Sequence, residues 1–188
     1  PGAPAVGIMV AASRMRHPLE ARTLARLAAR YAGDGPGAVV AFGLSNDGRR
    51  GDTAEFEAAF ALARRAGLLL APHAGELLGP QAVEETLNWL APDRIGHGVR
   101  SVEDPRLVDR LALEGVSLEV CPGSNVALGV YDEDRDVPLR RLLDAGVQVA
   151  LGADDPLIFG SRLVDQYAVA RSVHGLTDTD LAALARGS

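Results

Sequence analysis

The feature that most constrains this chain is a repeated unit of amphipathic helix, glycine, short apolar strand and polar turn. Leu107, Val108 and Leu111 share one helical face before Gly115, residues 116–120 read as a strand, and Cys121-Pro122-Gly123-Ser124-Asn125 follows. Leu139, Leu142 and Leu143 precede Gly146 in the same way, and residues 147–151 lead into Gly152-Ala153-Asp154-Asp155-Pro156. The clearest case is the run Leu68-Leu69-Leu70-Ala71, which ends at Pro72 and then presents His73 and Glu76 around Ala74-Gly75. A strand buried on both faces reads this way, continuously apolar with its polar groups at the carboxyl end.

Six such strands are expected, near residues 6–13, 38–44, 68–73, 94–98, 116–120 and 147–151. Helix followed by strand at this spacing is the rhythm of a parallel sheet. An open doubly wound sheet needs a glycine-rich turn after its first strand, and no G-x-G-x-x-G occurs. Strands ending in His, Asn, His, Ser and Asp-Asp instead suit a (β/α)8 TIM-type barrel, where several strand ends share one site. Six of its eight βα units are present. The expectation is therefore a single partial barrel domain over residues 1–188, a fragment or the ordered portion of a longer protein.

Locally, Pro18 is expected to open a helix that buries Leu19, Leu24, Leu27, Ala28 and Tyr31, with Gly33 as its C-terminal cap. Asp52 with Glu55 fits a capping box for a helix burying Phe56, Phe60 and Ala63. Pro80 starts a helix with Val83, Leu87 and Leu90 inward, Trp89 is expected between helices, and Thr177 caps the last helix.

Composition narrows the chemistry. All 19 basic residues are Arg, which removes both a Schiff-base lysine and the lysine of a P-loop. The net charge of -6, with both signs interleaved, argues against a nucleic-acid partner. No apolar run reaches the roughly 20 residues of a membrane span, and the first residues lack the basic region of a signal peptide. A lone cysteine, Cys121, suits a reducing cytoplasm and is expected to be a buried, inert thiol.

The candidates for chemistry are His73 with Glu76, His97 between Gly96 and Gly98, and the pair Asp154-Asp155. A neutral imidazole is the commonest metal ligand, and a carboxylic acid kept neutral by burial donates protons. Adjacent carboxylates raise each other's proton affinity unless a cation or donor divides their roles. Each feature alone has an ordinary structural reading: strand-end histidines, a helix-initiating Glu, an exposed turn before Pro156. Their conjunction at three strand ends carries the case. His17 and His174 read as surface or capping residues.

In order, H-A-G-E at 73–76, R-I-G-H-G at 94–98, L-E-V-C-P-G-S-N at 118–125 and Asp-Asp-Pro at 154–156 resemble the adenosine deaminase family of the amidohydrolase superfamily. The resemblance implies a (β/α)8 barrel, one catalytic zinc, Zn(2+), per complete site, and hydrolysis of the 6-amino group of a purine nucleoside, releasing ammonia. It makes His73 and Asp154 metal ligands, Glu76 the acid at purine N1, and His97 the residue that orients and helps deprotonate the attacking water. Asn46, Gly75 and Asp155 would contact the purine, Asp155 at N7. The family's first strand carries an H-x-H pair of further zinc ligands, which this sequence lacks; they would belong to the two absent strands. The family also has a glycine where Asn46 stands, so substrate identity stays open among adenosine, adenine and 6-aminodeoxyfutalosine. Another amidohydrolase and a non-catalytic barrel are the other readings. Oligomeric state is not legible.

Overall fold

The computed structural model describes residues 6–187. Six strands form one sheet: β1 (Ile8–Ser13), β2 (Val39–Ser45), β3 (Leu69–Ala74), β4 (Arg94–His97), β5 (Ser117–Val120) and β6 (Val149–Leu151). Every neighbouring pair is parallel, and the spatial order is the chain order, β1 to β6. A doubly wound sheet reverses its strand order part-way; this one does not. Each crossover steps to the next strand in one direction, which is the winding of a (β/α)8 barrel.

The crossovers carry α1 (Pro18–Arg30), α2 (Glu57–Arg65), α3 (Pro80–Leu90), α4 (Pro105–Glu114), α5 (Pro122–Ala127) and α6 (Leu139–Asp144); α7 (Pro156–Phe159), α8 (Leu163–Ser172) and α9 (Asp178–Arg186) follow β6. Prolines stand at the first turn of α1, α3, α4, α5 and α7, where a missing N–H costs nothing. Thr177 caps α9 reciprocally with Asp180, as expected. No helix among the described residues is long and apolar enough to cross a membrane.

The core falls into two clusters. One joins β1–β3 to α1 and α2 through Phe42, Leu44, Phe56, Phe60 and Leu70; the other runs from Val83 and Ile95 to Leu184. Phe42 and Phe60 meet edge to face at 5.2 Å.

Four local expectations are corrected. Helix α1 turns Ala21, Ala25 and Ala28 inward, and Leu19, Leu27 and Tyr31 are exposed. The alanines sit in the same core cluster as Ala59, Phe60 and Ala63 of α2, and small side chains let two helices approach closely. Gly33 does not cap α1; the helix ends at Arg30 with Tyr31 as its C-cap. Asp52 caps a short 3-10 turn over Thr53–Phe56, accepting from the Ala54 N–H, before α2 begins at Glu57. Trp89 lies on the outward side of α3, 49% exposed, because Val83, Thr86, Leu87 and Leu90 occupy the inward face.

Candidate active site

The carboxyl ends of β3, β4 and β6 converge, and two glycines make the approach possible. His73 is registered opposite Gly96, and Ala74 opposite His97. The His73 imidazole lies over Gly96: a Cβ there would stand 2.7 Å from His73 Nδ1. Gly75 turns the chain with φ +66, and a Cβ on it would fall 2.4 Å from Val83 Cγ2 and 3.1 Å from Gly98 Cα. The two turns are then stitched together, Gly98 N–H to Ala74 O and Arg100 N–H to Gly75 O, both at 2.9 Å. These contacts are the physical content of the H-A-G-E and G-H-G motifs.

Glu76 emerges from this turn with Oε1 3.4 Å from His97 Nε2. Asp154, three residues past β6, places Oδ2 3.8 Å from the same nitrogen. One ligating atom from each of Glu76, His97 and Asp154 lies within 4.8 Å of the other two. His73 stands beside this group, its ring 5.2 Å from that of His97. It lines a cavity of about 380 Å³ with His97 and Asp154, and an adjoining cleft of about 340 Å³ with Asn46, Gly75 and Glu76. Asp155 is exposed at the N-cap of α7 and lines neither space.

Three of the four non-glycine residues with positive φ among the described residues lie at the same places, the fourth being Ala91 at the end of α3. Asn46, His97 and Asp154 have φ of +74, +64 and +55, a region non-glycine residues rarely adopt. Such conformations cost roughly 1–3 kcal/mol each and cluster where function requires them. Asn46 is held by Nδ2 donating to Ser13 Oγ at 3.0 Å.

Burial sets the charge states. It pushes Glu76 up to about 7, with the nearby charges of Asp154 and Asp47 adding to the effect. It holds His97 down at about 3, helped by His73, and lowers His73 as well. Both imidazoles are therefore neutral at neutral pH, the form that binds metals. Nδ1 of His73 is buried without a hydrogen bond of ordinary geometry. A neutral imidazole, His73, and a carboxylate, Asp154, are donors of the kind zinc takes, so these two residues fit that ion as part of its ligand set. Cys121 is buried and pushed up to about 12, mainly by desolvation, as an inert thiol should be.

Two residues of this neighbourhood had drawn no role from the sequence. Arg14, 4% exposed at the end of β1, donates to the His73 carbonyl and to Thr53 Oγ1 at 3.1 and 3.2 Å. Asn125, 0% exposed, meets His97 Nδ1. The available signal was, for Arg14, a charged side chain directly after an apolar strand; Asn125 lies inside α5 and gave none.

A sequence profile described as adenosine deaminase matches residues 2–188. The chain belongs to the adenosine deaminase family. A Streptomyces coelicolor protein with the provisional name adenosine/adenine deaminase is 65% identical over 96% of this chain and 52% of its own length. An adenine deaminase of Rhizobium leguminosarum is 46% identical over 85% of this chain and 50% of its own. The crystal structure of adenine deaminase from Arthrobacter aurescens superposes with a TM-score of 0.86 at 33% identity, over 97% of this chain and 54% of that one. The chain thus spans about half the length of the deaminase-family relatives it matches.

Proposed function

We propose that the whole protein hydrolyses the 6-amino group of an aminopurine nucleoside such as adenosine, releasing ammonia, with one zinc per complete site. The observation that carries this reading is the meeting of Glu76, His97 and Asp154 at the wall of a cleft, in a chain of this family. His73 and Asp154 would hold the metal, which when bound supplies a nucleophile at neutral pH by acidifying water.

The remaining chemistry belongs to this chain. Glu76, which burial pushes up to about 7 so that a large share of it is protonated at neutral pH, gives its proton to ring nitrogen N1 and makes C6 electrophilic. His97 orients the water, and Asp154, whose Oδ2 faces His97 Nε2, takes the water's proton as the oxygen adds to C6. The tetrahedral carbon then collapses with loss of ammonia, leaving a carbonyl where the amine stood. Asn46 and Gly75 form the wall against the purine edge, and Asp155 would contact N7. Its one cysteine suits a cytoplasmic setting.

A second reading, free adenine as substrate, draws on the names of the Rhizobium and Arthrobacter relatives. The test is ammonia release by the zinc-loaded whole protein from adenosine, adenine and 6-aminodeoxyfutalosine. The highest kcat/KM for adenosine supports the first reading, and for adenine the second. No turnover of any aminopurine by protein holding about one zinc overturns both.

A further inference from the structure

The fold treats the two ring nitrogens of His97 differently. Nε2 faces acid, with Glu76 Oε1 at 3.4 Å and Asp154 Oδ2 at 3.8 Å. Nδ1 faces an amide, with Asn125 Nδ2 at 3.3 Å. Asn125 is wholly buried, and its backbone is pinned: its N–H donates to the Cys121 carbonyl, and its carbonyl accepts from Val130 and Tyr131. The Tyr131 hydroxyl in turn donates to the Val99 carbonyl at 3.2 Å, two residues past His97. The segment after α5 and the turn after β4 are therefore tied on both sides of the imidazole.

A neutral imidazole offers one N–H and one lone pair. An amide N–H donated to Nδ1 occupies the lone pair there, so the ring hydrogen sits on Nε2, directed toward the carboxyl oxygens of Glu76 and Asp154 at 3.4 and 3.8 Å. Each ring nitrogen then faces a group of complementary polarity. The other tautomer sets N–H against N–H at Nδ1 and a lone pair against carboxylate oxygens at Nε2. Leaving a buried polar atom unpaired costs about 1–3 kcal/mol, yet Asn125 Oδ1 has no hydrogen-bond partner among the described residues. The amide nitrogen, the end able to donate, is the one that faces His97.

We propose that Asn125 is a positioning residue that holds His97 in the Nε2–H tautomer, its hydrogen aimed between Glu76 and Asp154. An Nε2 that carries hydrogen has no lone pair for a metal, so Asn125 keeps His97 as the orienting group and leaves ligation to its neighbours. The consequence for turnover rests on the deaminase reading; the hydrogen bond does not.

The test is long-range 1H–15N correlation on the whole protein with 15N-labelled histidine, alongside steady-state kinetics. The expected wild-type spectrum has a pyrrole-like Nε2 and a pyridine-like Nδ1 for His97. Asn125→Asp has nearly the same shape but only acceptors. It should convert His97 to the Nδ1–H form and lower kcat at least about tenfold, the usual scale for a residue supporting a site, with KM changed less than about threefold. Asn125→Gln keeps the donor and should retain the tautomer and more of kcat than the Asp variant. If the Asp variant does not fold, the wild-type and Gln spectra decide. A wild-type Nδ1–H tautomer, or a folded Asp variant with unchanged kcat, overturns the proposal. A wild-type Nε2–H spectrum in a protein that turns over no aminopurine upholds the Asn125 assignment while overturning the deaminase reading.

Discussion

The Glu76 carboxyl and the His97 imidazole stand 3.4 Å apart, Oε1 to Nε2, although they leave the ends of different strands. Burial displaces the two in opposite directions, Glu76 up to about 7 and His97 down to about 3. At neutral pH the site therefore holds a carboxyl able to give a proton beside an imidazole that carries no charge, which is the division of labour an acid–base reaction requires.

Glu76→Gln keeps the shape of the side chain and removes the proton it gives. The variant should hold zinc as the wild type does and lose about 10²- to 10⁴-fold in kcat, the usual contribution of a positioned acid or base. Metal analysis with single-turnover kinetics checks this, and full activity would remove the acid role.

The same variant reports on stability. Glu76 has its folded pKa raised, so its favourable contribution is complete below about pH 4.5 and is lost as pH rises through about 7. In metal-free protein, wild type should thus lose stability relative to Glu76→Gln between these limits, by at most about 3 kcal/mol. His97 acts with the other sign: its folded pKa is lowered, so its contribution is present above about 6.5 and lost as pH falls toward 3. Denaturant melts of both proteins across pH 4–8 measure the difference.

Asp154→Ala removes a proposed ligand and one of the two carboxylates facing His97. Zinc content and activity should fall together, and added zinc should not restore wild-type turnover. Retention of about one zinc per chain would remove Asp154 from the ligand set.

Gly75→Ala and Gly96→Ala should fail for different reasons. At Gly75 the new methyl meets Val83 at φ +66, so the fold should lose more than about 1 kcal/mol. At Gly96 the backbone is ordinary and the methyl meets the His73 ring, so zinc affinity should fall more than stability. Urea melts and zinc titrations of the two variants separate the effects.

Cys121 should resist alkylation by iodoacetamide at pH 8 in the native protein and react only after unfolding, because burial pushes its thiol up to about 12. Rapid native labelling, followed by mass spectrometry, would show an access route that its 7% exposure does not provide.

The strands and the site were legible because strong apolar runs ended in unmistakable polar groups. His73 and Asp154 each follow such a run, whereas His97 ends the short strand Arg94–His97 and stood out by its flanking glycines. Helix α1 was misread because leucine and tyrosine weigh more than alanine in any hydrophobic pattern; the surface that packs on α2 is chosen by close approach, which favours Ala21, Ala25 and Ala28. Trp89 was misread in the same way, on size. Asn125 and Arg14 were opaque for another reason: their partners, His97 and the His73 carbonyl, lie 28 and 59 residues away, and no local spacing encodes such a contact.

Asn46, His97 and Asp154 hold left-handed backbone that glycine would adopt at less cost. At the exposed positions 46 and 154 stability and chemistry thus draw in opposite senses. A library selected only for thermal resistance should drift toward glycine at 46 and 154 while keeping the buried His97, and the variants that melt highest should be among those that have lost the site.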